Sequence, residues 1–189
     1  MDASAVLDLF RKSGALLEGH FRLSSGLHSD RYLQSALVLQ YPEFAGQLGE
    51  ALAAETRHLD PTAVLSPALG GLIIGHEVAR ALGVRALFAE RQDGTLTLRR
   101  GFTLSPRDRV LIVEDVITTG GSTRETAEVA RACGAHVLGA AAIVDRGDNP
   151  ARLYIPMWTL VRLDVPAYPP ESCPLCASDI PIVKPGSRE

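Results

Sequence analysis

The chain has 189 residues, a formal net charge of −3 and a pI near 6.0, with 46% hydrophobic and 22% charged residues. Those values describe an ordinary globular domain, and at this length a chain buries roughly 70% of its unfolded surface without needing staples. The acidic balance argues against a general nucleic-acid binder. No apolar run approaches the roughly 18 residues of a membrane span. Residues 1–19 lack the continuous apolar core of a signal peptide, and three cysteines make no disulfide framework, so the cytoplasm is the expected location.

In chain order, Val6, Leu7, Leu9 and Phe10 at helical spacing predict a first helix over 3–13, ended by Gly14. Residues 16–34 read as extended and turn-rich. Pro42 opens a second helix to about His58, with Phe44, Leu48, Ala51 and Leu52 on one face. Ala63–Ser66 is a short strand, 71–82 a helix and 85–89 another strand, which Thr95–Arg99 can join across the turn Asp93-Gly94. A strand at 110–113, a helix from Arg124 to Cys133 and a strand over 136–145 follow. The alternation of strand and helix predicts an α/β fold with a mainly parallel central sheet, right-handed crossovers and ligands at the carboxyl ends of the strands. There is no internal repeat, and the proline-rich tail from Pro166 to Glu189 is expected to wrap the surface.

The stretch Val-Leu-Ile-Val-Glu-Asp-Val-Ile-Thr-Thr-Gly-Gly-Ser-Thr, residues 110–123, carries the most chemistry. Four apolar residues form a buried strand, and Glu114 and Asp115 are expected where it ends. Thr118, Thr119, Gly120, Gly121, Ser122 and Thr123 form a turn rich in glycine and hydroxyls, with a helix behind it. The first N–H groups of a helix have no internal partner and sit at the positive end of its dipole, so such a turn binds an anion. Glycines let the backbone approach a phosphate, and hydroxyls add donors. The acids accept from vicinal sugar hydroxyls, directly or through hydrated Mg²⁺. The implied ligand is a phosphorylated ribose. A Walker-type loop is excluded because no Gly-Lys-Ser/Thr follows the glycines. The bland alternative is an ordinary strand–loop–helix corner with an acidic cap.

The whole of this stretch resembles the signature of the type I phosphoribosyltransferases, which bind 5-phosphoribosyl 1-diphosphate. The resemblance implies their fold, with a small hood from the chain termini: one domain over 1–189, the hood drawn from about 1–40 and 150–189. It implies that Glu114, Asp115, Val116, Ile117, Thr118, Thr119, Gly120, Gly121 and Ser122 hold the sugar phosphate. Gly70 and Gly71, in the Ser-Pro-Ala-Leu-Gly-Gly turn after a strand, resemble the pyrophosphate loop. Residues 90–102 resemble the mobile catalytic loop, whose basic residues close over the diphosphate, often in the neighbouring subunit, so Arg91, Arg99, Arg100 and a homodimer are implied. A solvated hairpin face is the other reading of Arg99 and Arg100. Mg²⁺ is expected to be carried by the substrate diphosphate, with no dedicated protein ligand cage.

Asp145-Arg146-Gly147 resembles the orotate-specific branch of the family, where the arginine holds the orotate carboxylate. The segment Phe21 to Tyr32 resembles the part that cups orotate, with Tyr32 over the pyrimidine, Ser24 and Thr118 as further contacts, and His28 as a structural residue. The implied activity is transfer of phosphoribosyl to orotate, giving orotidine 5′-phosphate and pyrophosphate in pyrimidine synthesis. Two alternatives are a transferase for a purine or other base, and a non-catalytic regulator that senses phosphoribosyl diphosphate. The sequence departs from the enterobacterial orotate pattern in three places. Ser24 and Gly70 stand where that pattern has lysines, and the mobile-loop lysines are absent. The Cys-Pro-Leu-Cys segment and the Val183 to Arg188 tail resemble a bacterial subgroup that shares these departures. Cys173 and Cys176 have zinc-knuckle spacing, but a structural zinc needs four ligands. The other two could come only across a dimer axis or from distant histidines, so the expectation is a turn with two unligated thiols. Cys133 is expected to be a small core residue.

Overall fold

The computed structural model describes residues 1–23, 25–147 and 153–185. Helix α1 (Ala3–Lys12) is capped by Asp2, whose carboxylate accepts from the Ala5 N–H at 2.8 Å. It is followed by a two-stranded antiparallel hairpin, β1 (Leu16–Arg22) and β2 (His28–Leu33). A short helix α2 (Ser35–Leu39), which the sequence does not announce, leads to α3 (Pro42–Thr56), with Pro42 in the first turn as expected. The main sheet takes β3 (Ala63–Pro67), β4 (Arg85–Gln92), β5 (Thr95–Leu98), β6 (Arg109–Ile117), β7 (His136–Asp145) and β8 (Met157–Arg162), in the spatial order β5-β4-β3-β6-β7-β8. Every pairing is parallel except β4 with β5. Helix α4 (Gly71–Leu82) connects β3 to β4, and α5 (Gly121–Ala132) connects β6 to β7.

Alternation along the strands builds two cores. Val64, Leu111, Val113, Ala141 and Ile143 face one side, where they meet Val6 and Phe10 of α1, Leu48 and Leu52 of α3, and Ile74 and Val78 of α4. Ala63, Leu65, Val110, Ile112, Ala140 and Ala142 face the other, against Ala127 and Ala130 of α5. A sheet buried on both faces explains why β6 and β7 read as unbroken apolar runs. Helices α4 and α5 lie on opposite faces because β3 hands on to a neighbour on one side and β6 to a neighbour on the other, which right-handed crossovers require. The strand order therefore diverges between β3 and β6, and the crevice beyond their carboxyl ends is where such sheets bind ligands.

Two boundaries differ from the sequence reading. Strand β6 runs past the acids: Glu114 pairs with Ala142 and Ile117 with Asp145. Helix α5 starts at Gly121, so the turn is only Thr118 to Gly120. As far as Pro185, the tail docks on the surface of the hairpin. Tyr168 and His28 exchange both backbone hydrogen bonds at 2.8 Å; Val183 donates to the His20 carbonyl and accepts from the Arg22 N–H. The hairpin thus has tail segments docked along it.

Candidate active site

The cleft beyond β6 has a volume of about 240 Å³ and is lined by Arg91, Glu114, Val116, Ile117, the Thr118–Gly120 turn, the first residues of α5 and Glu125. Gly120 holds φ = +72°, a left-handed conformation that side chains rarely adopt, and a Cβ there would stand 2.3 Å from Leu153 Cδ2. That bend turns the N-terminus of α5 into the cleft, where its leading N–H groups lack helical partners. The Thr119 and Ser122 hydroxyls border the same space. A turn of this shape at a helix N-terminus has the donors to receive a phosphate dianion.

The two acids have different surroundings. Glu114 is buried, and its Oε1 accepts from Thr123 Oγ1 at 2.6 Å. Loss of solvent pushes its carboxyl up to about 7; the Thr123 bond works against that rise and the Asp115 charge adds to it. Asp115 is also raised by burial, opposed by hydrogen bonds from the Val116 backbone and the Ser35 side chain. Its Oδ1 lies 2.8 Å from where a Cβ on Gly70 would stand. Only glycine lets the β3–α4 turn approach this carboxylate. The turn contains a cis Ala68–Leu69 peptide, and Leu69 is strongly exposed. Ribose acceptors and a second helix N-terminus are therefore adjacent, as a sugar diphosphate requires. The residues fit Mg²⁺ carried on such a ligand, since the ion takes oxygen donors and retains water, and the Asp115 carboxylate lies against the β3–α4 turn.

Arg146 stands next to this site. Its N–H donates to the Ile117 carbonyl at 2.8 Å, tying it to the end of β6. Its side chain is half-buried, its enclosed Nε has no hydrogen-bond partner, and burial pulls the guanidinium below its usual range while the neighbouring Tyr32 raises it. A half-buried guanidinium with an enclosed, unsatisfied N–H calls for an anion. Asp145 is buried and accepts from the Gly147 N–H at 2.9 Å, which fixes the turn that carries Arg146. Tyr32 extends from β2, tilted against Phe21 with ring centroids 6.0 Å apart.

A phosphoribosyl transferase domain matches residues 38–167. The orotate phosphoribosyltransferase of Pelotomaculum thermopropionicum is 51% identical over 189 residues, covering the whole of both chains. The chain belongs to the orotate phosphoribosyltransferase family. Among solved structures, the orotate phosphoribosyltransferase of Aeropyrum pernix superposes with a TM-score of 0.71 at 28% identity, over 84% of this chain and 93% of that one. The Mycobacterium tuberculosis enzyme in complex with 5-phospho-alpha-D-ribosyl 1-diphosphate has the same fold, with a TM-score of 0.67 at 22% identity over 85% and 95% of the two chains. The type I phosphoribosyltransferase fold expected from the signature is the observed one.

For an orotate phosphoribosyltransferase, the structure brings together Glu114, Val116, Ile117, Thr118, Thr119, Gly120, Gly121, Ser122 and Arg91 around one cleft. Asp115, Gly70 and Gly71 adjoin it, and Arg146 and Tyr32 neighbour one another. Arg99 and Arg100 are elsewhere: both pair with Glu90, Arg100 through two bonds of 3.0 and 2.9 Å, at the foot of the β4–β5 hairpin. Of the three hairpin arginines only Arg91 reaches the cleft, where it pairs with Glu125 at 2.9 Å. Ser24 lies outside the described residues, as do Gly186 to Arg188 of the tail. The sequence reading missed Ser35, whose position on an unannounced short helix gave no signal. It also passed over the task of Thr123, nine residues after Glu114 across a strand–turn–helix corner, because that pairing is legible only with the turn geometry in hand.

Proposed function

We infer that the chain transfers the phosphoribosyl group of 5-phosphoribosyl 1-diphosphate to orotate, forming orotidine 5′-phosphate and pyrophosphate in pyrimidine synthesis. The observation that carries the substrate assignment is Arg146, a half-buried guanidinium with an enclosed, unpartnered Nε beside the cleft. A carboxylate on the base satisfies it; a purine or uracil leaves it unsatisfied. Neither a different base nor a non-catalytic sensor is favoured, since a relative named for the orotate reaction is 51% identical over the full length.

In the proposed reaction, a pyrimidine nitrogen forms its bond to the anomeric carbon as the bond to pyrophosphate breaks. The backbone and hydroxyls of Thr118 to Ser122 hold the 5′-phosphate, which makes the attack effectively intramolecular. Glu114 and Asp115 hold the ribose diol and stabilise positive charge developing on the sugar. Arg146 holds the orotate carboxylate, with Tyr32, Thr118 and Ser24 around the base. Gly70, Gly71 and Arg91 face the diphosphate. Mg²⁺, when bound through the diphosphate, neutralises charge on the leaving group.

A homodimer completes the reading. Leu69 and Ile73, 82% and 44% exposed, flank the diphosphate turn and support a contact there. Arg99 and Arg100 would then serve the neighbouring subunit's site. The chain acts as one domain over 1–189, with a hood from about 1–40 and 150–189, in the cytoplasm; among the described residues no helix is long and apolar enough to cross a membrane. Following pyrophosphate release with Mg²⁺, phosphoribosyl diphosphate and either orotate, uracil or a panel of purines tests the assignment. Turnover with orotate alone is expected. Turnover with another base would leave the sugar site standing but end the role given to Arg146, and binding without turnover would favour the sensor.

A further inference from the structure

Where the tail meets the hairpin, four side chains converge that the transfer reaction does not use. His20 comes from β1, His28 opens β2, and Cys173 and Cys176 come from the far end of the chain. Their donor atoms all lie within 4.8 Å of one another. His20 Nε2 is 2.9 Å from His28 Nδ1. Cys176 Sγ is 3.3 Å from His28 Nδ1 and 3.8 Å from His20 Nε2, and Cys173 Sγ is 3.7 Å from His20 Nε2. Ligands on a tetrahedral ion, with bonds of about 2.0 Å to nitrogen and about 2.3 Å to sulfur, stand roughly 3.3–3.8 Å apart. These three nitrogen–sulfur separations fall on that spacing, and the two imidazole nitrogens stand a few tenths of an ångström closer than it.

The environment agrees with the geometry. His20 Nδ1 is 2.7 Å from the Ile180 carbonyl, which can only accept, so that nitrogen carries the hydrogen and Nε2 presents a lone pair to the cluster. Ligating histidines are commonly held this way. His20, His28 and Cys173 are 3%, 7% and 3% exposed, whereas Cys176 opens to solvent and offers an ion a way in. We propose that His20, His28, Cys173 and Cys176 bind one Zn²⁺ in a closed structural site that fastens the C-terminal tail to the β1–β2 hairpin. Two thiolates and two imidazoles in a tetrahedron select zinc over magnesium. Four protein ligands leave no position for substrate, so the ion holds structure rather than performing chemistry. Binding releases the two thiol protons, and its free energy becomes folding free energy of the hairpin–tail unit. The ligands sit between the two backbone docking points, Tyr168 on His28 and Val183 on His20. The thiols expected to be unligated thus find their partners in distant histidines of the same chain.

The test is metal analysis of the reduced, full-length protein, followed by chelation and refilling with Co²⁺. The expected result is close to one zinc per chain, and in the cobalt form thiolate charge-transfer bands with the visible spectrum of a four-coordinate site. Cys176→Ser and His28→Asn should each weaken or abolish those bands. Chelation should lower the melting temperature, with recovery on Zn²⁺ but not on Mg²⁺. Wild-type protein that takes up no more zinc than a Cys173→Ser/Cys176→Ser variant overturns the proposal. So does a Cys173–Cys176 disulfide that forms equally fast with and without Zn²⁺. Neither outcome depends on which base the active site takes.

Discussion

Glu114 and Asp115 are neighbours in sequence with opposite directions of approach to the site, because successive residues of a strand point to opposite faces. Glu114 is locked by Thr123 on the side of α5, and Asp115 lies under the Gly70 turn with Ser35 behind it. The Glu114 carboxyl, raised from 4.5 to about 7 in the fold, binds its proton more tightly folded than unfolded. Its contribution to stability is therefore full below about pH 4.5 and is lost as pH rises through 7, a change on the order of 3 kcal/mol. Glu114→Gln keeps an acceptor for Thr123 and should flatten that fall, which urea melts of the free protein between pH 5 and 8 will read. Asp115→Asn preserves shape and removes charge; turnover should drop about 10²-fold with the melting temperature little changed, and an undiminished rate would remove Asp115 from the mechanism. Arg146→Ala removes a charge-assisted contact worth about 1.5–3 kcal/mol, so the KM for orotate should rise at least tenfold while that for phosphoribosyl diphosphate moves far less. Equal weakening of both substrates would argue against carboxylate recognition.

At the scale of elements, the proposed phosphate cradle is the corner between β6 and α5, and its shape depends on one residue in a left-handed conformation. Gly120→Ala sets a Cβ against Leu153 and strains φ together, so a loss of about 1–3 kcal/mol is expected, with a raised KM for phosphoribosyl diphosphate. Paired thermal melts and steady-state kinetics check both; an alanine tolerated without change in either would mean that the turn is not held by that backbone geometry. The β4–β5 hairpin illustrates a second point. Its alternation and Asp93-Gly94 turn were legible, yet which of its arginines faces the cleft was not. Arg91 does, while Arg99 and Arg100 fold back on Glu90, and that choice depends on strand twist and register.

Across the whole molecule, a six-stranded sheet buried on both faces carries the candidate site, and a thin two-stranded hairpin carries Tyr32. A two-stranded hairpin is marginal alone. Here the tail supplies the missing partners, so hairpin and tail should behave as a cooperative unit less stable than the main sheet. Val183→Pro deletes the N–H that reaches the His20 carbonyl at 2.8 Å. Hydrogen exchange should accelerate at the Arg22 and Tyr168 amides and stay slow in β3 and β6. Acceleration throughout would mean one undivided cooperative core.

Local chemistry was written in the sequence itself. The apolar runs of β3, β6 and β7, the glycine–hydroxyl turn and the acid pair depend on neighbours in the chain, so alternation, turn residues and spacing reveal them along with the parallel α/β architecture, and Asp145-Arg146 is legible through its family resemblance. Long-range contact decided the rest. That β6 continues past its acids depends on pairing with β7, and that Asp115 meets Gly70 depends on the β3–β6 crevice. That Cys173 and Cys176 reach His20 and His28 depends on a tail crossing back to the first hairpin. No periodicity records such a meeting, because it is produced by the tail docking back along a hairpin more than a hundred residues earlier in the chain.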